Sequence, residues 1–468
     1  MSDTKVTLKK EYKNTWDTYS KEDLEKLFAY AERYRKFISD NKTERECIRD
    51  LVKKAEAAGY QDIQELIKAD KRLVSGDKVY ANYKDKTLIL FCVGEKPLTE
   101  GLNLLGAHLD SPRLDLKPNP LYEDTDFAML KTHYYGGVKK YQWVAMPLAI
   151  HGVVAKKDGS IVNLNIGEDE TDPVVGISDL LIHLAGEQMQ KKLSEAIKGE
   201  DLNICLGSIP LAGEEKDKVK ANILKLLYEK YGIVEEDLVS AEIEIVPAGA
   251  ARDYGLDRSM IIGYGQDDRV CGYASFEAQL EVEKPVKTTA TVLVDKEEIG
   301  SVGASGMQSH FFENMVAELL NLTGEYSSLL LKRTLANSKM LSSDVTAGYD
   351  PNYASVLEKN NAAYFGKGVV FMKYTGSRGK SGSNEANAEF VAELRRIMEE
   401  NQVSWQTAEL GRIDLGGGGT IAYILAHYGM DVIDCGVPVH SMHAPWEITS
   451  KADLYEMRKA YVAFLKNA

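Results

Sequence analysis

Short apolar runs bounded by turn residues alternate along this chain with longer stretches of helical periodicity, and this alternation constrains the fold more than any other feature. "LILFCVG" begins at Leu88 and "NLLGAHLD" at Asn103, and further runs occupy 242–247, 289–294, 368–373 and 431–435. Each is short for a helix, and its continuous apolar character suits a strand covered on both faces. Helical periodicity fills 308–321, 384–400, 420–428 and 451–466. Upstream, residues 20–58 put Leu27, Tyr30, Tyr34 and Phe37 on one helical face and Ile48 and Leu51 on a later one, with the polar turn "DNKTERE" between. Strands alternating with helices fold as an α/β layer structure. In such sheets ligands gather beyond the carboxyl ends of the strands.

The segment 113–247 breaks this rhythm. "LKTHYYGGVKKYQWVAMPLAIHGVV" and "DGSIVNLNIGEDE" are aromatic and alternating, and a Lys/Glu-rich stretch at 186–237 follows them. The expectation is a β-rich domain at 113–247 inserted into a discontinuous domain formed by 1–112 and 248–468. A chain of 468 residues has ample length for two cores.

With 57 Lys+Arg against 71 Asp+Glu the formal charge is −14, and no basic cluster stands out. Nucleic acid and anionic membrane are therefore not expected as partners. The N-terminal stretch has no apolar core behind its lysines, so no signal peptide or anchor is expected, and no run reaches the about 18 apolar residues of a membrane span. Cys47, Cys92, Cys205, Cys271 and Cys435 are scattered and odd in number. They read as reduced residues of a cytoplasmic protein rather than a disulfide framework or a thiolate metal site.

Candidate chemistry lies near the predicted strand ends. His108 and Asp110 form a His-x-Asp pair, which suits a metal ligand with an orienting carboxylate and equally a satisfied core histidine. Asp267 and Asp268 follow a Gly-rich turn, either as ligands or as a helix N-cap with an exposed partner. Glu297 and Glu298 follow "TATVLV". Adjacent side chains diverge, so one carboxylate can bind a metal while its neighbour handles a water, and a dication makes such burial tolerable. Asp344 sits among small residues in "MLSSDVTAG", and either His440 or His443 in "GVPVHSMHAPWE" is a ligand or a packed turn residue. Two dications about 3.5–4 Å apart need mixed nitrogen and oxygen ligands, a bridging carboxylate and a nearby base, and this inventory supplies them. Competing motifs fare worse. "GKS" at 379–381 lacks the first P-loop glycine, whose place Tyr374 takes. "GGGGT" at 416–420 serves a phosphate or brings backbone close to a substrate, and no Gly-x-Ser-x-Gly elbow is present.

In "GAHLDSPRLDLKP", "DKEEIGSVGASG", "SSDVTAGYDPNY", "GGGGTIAYILA" and "SMHAPWE" the chain resembles the M18 metallo-aminopeptidases, the group of aspartyl aminopeptidase and vacuolar aminopeptidase I, and most nearly their bacterial aminopeptidase 1 branch. The resemblance implies a zinc-peptidase domain with a central mixed sheet flanked by helices, and an inserted β-rich dimerisation domain. It implies hydrolysis of the N-terminal peptide bond of unblocked peptides by a site with two zinc ions per subunit, for which cobalt or manganese also suits the ligands. His108 and Asp344 would bind one zinc, Glu298 and His443 the other, and Asp267 would bridge them. Asp110 would orient His108, and Glu297 would be the general base. Dimers would assemble into a tetrahedral dodecamer, with His183 in "ISDLLIHLA" approaching a neighbouring subunit's site.

One stretch departs from the family pattern. Where aspartyl aminopeptidases carry histidine after the position of Asp344, this chain has Gly348 and Asp350. A carboxylate there would repel acidic side chains, so an apolar or basic N-terminal residue is expected. Two rival readings are an M42 tetrahedral aminopeptidase, which shares the "DDR" and "EE-G" patterns but has a smaller insert, and a non-catalytic self-assembling scaffold. Retention of both Glu297 and Glu298 disfavours the scaffold.

Overall fold

The computed structural model describes residues 11–324 and 326–468. The first ten residues, on which part of the expected absence of a leader falls, lie outside the described residues. Two helices open the fold, Lys21–Asp40 and Glu44–Ala57. The polar turn expected between them is the three-residue break at 41–43. It forms because Thr43 and Glu46 close a capping box on the second helix, as Ser20 and Asp23 do on the first.

Among the described residues the largest sheet has nine strands, in the order 61–62, 78–83, 87–92, 289–294, 103–108, 339–342, 431–436, 369–372 and 405–407. The strands 289–294, 103–108, 339–342 and 431–436 at its centre are mutually parallel, whereas 87–92 and 369–372 on either side run antiparallel to them. Alternate residues of each central strand enter two separate cores, as period-two geometry requires. Leu105, Leu293, Leu341 and Ile433 pack under the helices 21–40, 266–280, 388–400 and 451–467. Leu104, Val292, Met340 and Val432 pack on the opposite face under 311–323, 328–336 and 422–426. Burial on both faces accounts for the unbroken apolar runs. The expected helix at 420–428 is confined to Ala422–Ala426, because the residues before it belong to an open glycine loop and Gly429 turns the chain at positive φ.

Register brings the strand ends level. Val294 pairs with His108, and Ser342 pairs with both Gly106 and Asp434. Residues just beyond these strands therefore collect at one sheet edge.

A second sheet is antiparallel throughout, in the order 161–166, 148–155, 241–247, 113–124, 127–135 and 204–207. Its core is separate and includes Leu114, Trp143, Ile150, Leu164, Ile204 and Ile245. A third sheet, 252–254, 260–263, 447–450, 438–440 and 346–347, sits beside the shared edge. No helix among the described residues is long and apolar enough to cross a membrane.

Candidate active site

The shared edge gathers residues from distant parts of the chain. His108 ends its strand, and Asp267 and Asp268 open the helix Gln266–Leu280. Glu297 and Glu298 begin a short 3₁₀ turn just past Val294, Asp344 lies two residues beyond Ser342, and His443 follows the strand Pro438–His440. Asp267 lies at the centre. One of its carboxylate oxygens is 3.2 Å from His108 Nε2 and the other 3.2 Å from His443 Nε2. Glu298 Oε2 is 3.6 Å from His443 Nε2, and Glu297 Oε2 is 3.8 Å from His108 Nε2.

Both imidazoles have their tautomers set from behind. His108 Nδ1 donates to the Asp110 carbonyl at 2.9 Å, and His443 Nδ1 donates to the Gly137 carbonyl at 3.0 Å. A carbonyl only accepts, so the proton of each neutral ring resides on Nδ1 and each Nε2 turns toward the carboxylates. The orienting role expected for the Asp110 side chain is thus shared with its own main chain, since its carboxylate lies farther off, 3.4 Å from Nδ1. That carboxylate instead accepts from the Glu297 and Glu298 amides, at 3.1 Å each, and from the Tyr135 hydroxyl at 2.8 Å. It fixes the turn that presents the two glutamates.

Glu447 does the same for the opposite half, accepting from the Asp267 amide at 3.1 Å and the His443 amide at 2.7 Å. It ends "SMHAPWE", in which the His443 amide is a local partner, but nothing in that string reveals the Asp267 amide, which is brought up by tertiary contact. Asp268 also differs from the sequence reading. It is fully buried rather than an exposed partner, and His108, Asp268 and Asp344 offer donor atoms within 4.8 Å of one another. His108, Asp267 and Glu298 form a second such set. His440 packs away from the site, stacked on Phe365 at 4.3 Å. His183 lies on an exposed turn, Ile182–Leu184, outside the cavity described below.

The electrostatics call for a cation. Asp267, Asp268, Glu298 and Asp344 have no Lys or Arg ion-pair partner among the described residues, and Glu298 Oε1 and Asp268 Oδ1 are buried without a hydrogen bond. Burial pushes Glu298, Asp268 and Asp344 well above the carboxylate range, and neighbouring carboxylates add to the shift. Glu297 is pushed up to about 7 by burial, opposed by His108 and reinforced by Asp267 and Asp110. Burial disfavours the charged form of His443, but Asp267 holds it up to about 10. Such a set, proton-hungry when alone, fits divalent metal, which satisfies the orphan oxygens and balances their charge.

Beside the cluster lies a cavity of about 500 Å³, lined by Val345, Met372, Thr375, Leu410, Gly417–Thr420, Tyr423 and Met442 as well as the site residues. The glycine loop is a cavity wall. Gly417 needs its positive φ, and a Cβ there would meet the Gly376 carbonyl at 2.0 Å, while Gly418 and Gly419 have open space before them. Asp350 caps the turn Pro351–Val356 through the Asn352 amide and is absent from this lining, so the carboxylate expected from sequence beside the pocket is not part of its wall. Among the described residues the lining contains no Lys or Arg.

A sheet covered on both faces, with carboxylates and imidazoles gathered at the carboxyl edge of its parallel strands, defines the class as metal-dependent hydrolase. The model of one such family, the aminopeptidase I zinc metalloproteases (M18), matches residues 37–465. This chain belongs to the M18 family of aminopeptidases, which decides against the M42 group. It is 64% identical over 461 residues to a probable M18 family aminopeptidase 1 of Clostridium acetobutylicum, covering 98% of this chain and 99% of that protein. The crystal structure of an M18 aminopeptidase from Thermotoga maritima superposes with a TM-score of 0.94 at 45% identity, covering 98% of this chain and all of that one. The Saccharomyces cerevisiae mApe1 dodecamer shares the fold at 20% identity and a TM-score of 0.74, over 93% of this chain and 96% of that one.

Proposed function

We propose that the aminopeptidase activity of this chain is exerted by two zinc ions, with Glu297 as general base, on unblocked peptides that begin with an apolar residue. The observation that carries this reading is Asp267, whose two oxygens each face the Nε2 of a different histidine. Asp267 would bridge the metals, with His108 and Asp344 completing one site and Glu298 and His443 the other. Asp268, whose Oδ2 accepts at 3.4 Å from the His108 amide while its Oδ1 has no hydrogen bond, stands with His108 and Asp344 and would lie beside the first of these sites. Bound zinc would acidify a water, polarise the scissile carbonyl and anchor the free α-amine.

The protein's own residues do the rest. Glu297 takes a proton from the attacking water and returns it to the leaving amine. Asp110 holds Glu297 in place through its amide, and Glu447 holds Asp267 and His443. Val345, Met372, Leu410 and Met442 offer an apolar seat for the N-terminal side chain, and among the described residues no Lys or Arg lines the cavity to receive an acidic one.

Matched leucyl, methionyl, lysyl and aspartyl nitroanilides, assayed with zinc, cobalt or manganese, test this reading. The leucyl and methionyl substrates are expected to turn over fastest, and acetylation of their α-amine should abolish cleavage. Efficient hydrolysis of acetylated substrates would overturn the amine-anchoring role, and no turnover of any free-amine substrate would favour a scaffold.

We propose also that residues 113–247 are an inserted domain that pairs subunits, set within a catalytic domain of 1–112 and 248–468, and that the pairs build a dodecamer in the cytoplasm. Support comes from the separate core of the antiparallel sheet and from exposed apolar residues around His183: Leu181 is 53% exposed, Ile182 66% and Leu184 68%. Unpartnered apolar surface of this kind marks interfaces. Light scattering should give a mass many times that of one 52.0 kDa chain, and a monomer would sink the assembly.

A further inference from the structure

The strand Phe127–Tyr135 belongs to the antiparallel sheet, yet its end reaches the metal site of the other sheet. Tyr135 is buried, and its hydroxyl donates at 2.8 Å to Asp110, the carboxylate that also holds the Glu297 and Glu298 amides. Its ring is held in turn by Arg113, whose guanidinium lies 3.9 Å from the ring centre. Gly136 takes φ +73°, and a Cβ there would stand 3.2 Å from Glu298 Oε2. Gly137 accepts from His443 Nδ1, and a Cβ on it would stand 3.1 Å from that nitrogen, inside van der Waals contact. Three consecutive residues thus stand against three residues of the site.

We propose that Tyr135–Gly137 is a positioning segment through which the β-rich region sets the affinity of the site for metal. The proposal rests on the two-zinc reading above. Gly137 fixes which His443 nitrogen faces Asp267 and how the ring is turned. Gly136 leaves room for Glu298 to lie flat against the chain, and Tyr135 steadies the turn bearing both glutamates through Asp110. None of the three side chains needs to touch substrate. Partners behind a ligand commonly alter metal affinity by about 10- to 100-fold, and here they come from a region with its own core. Displacement of that region relative to the main sheet would therefore be felt first as loosened metal.

The test is zinc content by elemental analysis, with zinc affinity by competition against a chromogenic chelator. The proteins compared are the full chain, Gly137→Ala, Tyr135→Phe and the control Gly186→Ala, whose added methyl meets nothing within 4 Å in the same β-rich region. The full chain and the control should hold two zinc ions alike. Gly137→Ala should weaken one of the two by about 10- to 100-fold, and Tyr135→Phe should weaken binding in the same direction, with circular dichroism unchanged. If both variants bind zinc as the full chain does, the positioning role is overturned while the two-zinc reading stands. If the full chain itself binds no zinc, the two-zinc reading fails and the proposal with it. Should Gly137→Ala fail to fold, Tyr135→Phe, which removes a single hydroxyl, decides alone.

Discussion

Glu297→Gln is expected to keep both zinc ions and to lose about 10²- to 10⁴-fold in kcat, the usual contribution of a positioned general base. Glutamine has the same shape and retains the main-chain amide that donates to Asp110, so the turn that presents Glu298 should survive. What disappears is a group able to accept a proton. KM for a leucyl substrate should change little, because a general base, the role proposed for Glu297, contributes to the transition state rather than to ground-state binding. Paired measurement of kcat and zinc content decides the matter. Loss of zinc with the mutation would mean that Glu297 is a ligand and that the two adjacent glutamates have exchanged roles.

Asp267→Asn is expected to be at least as damaging, by a different route. Asp267 offers one oxygen to each imidazole edge, 3.2 Å away on either side. Asparagine keeps one oxygen and replaces the other with an amino group that cannot ligate, so a single residue can no longer serve two metals. Zinc content should fall by at least one ion per chain and turnover to background. A thermal readout separates this from misfolding. Zinc binding to the native state should raise the Tm of the full chain by mass action, whereas the Asn variant should show little or no such rise. Its metal-free form should itself melt lower than that of the full chain, because the two imidazoles that hold Asp267 ionised lose their partner, so the rise on adding zinc and not the starting Tm is the quantity to compare. Two zinc ions retained at normal affinity would remove Asp267 from the centre of the site.

Much of the scaffold was legible because its signals are local. A strand covered on both faces must be apolar at every position, and a surface helix must repeat every 3.6 residues. "TATVLV" and "DVIDC" accordingly lie where the strands 289–294 and 431–436 are found. The capping boxes at Ser20 and Thr43 are equally local, and they explain why the N-terminal helices part at the polar turn. Position beyond a strand end was enough to nominate His108, Glu297, Glu298 and Asp344. The same reasoning went astray at Asp350, where nearness in sequence to Asp344 suggested a place in the pocket. Its side chain instead caps the turn that follows.

Sequence alone therefore determined the strand and helix rhythm, the aromatic and alternating pattern within 113–247 and the residue types available for metal chemistry, because these depend on neighbours along the chain. Tertiary structure decided which histidine of "VHSMH" enters the site, that Asp268 is buried beside Asp267, and that Glu447 and the Tyr135–Gly137 segment stand behind Asp267, Asp110 and His443. Those choices are made by loop dihedrals and by contacts between residues hundreds of positions apart, and no spacing along the chain encodes the direction in which a loop side chain points.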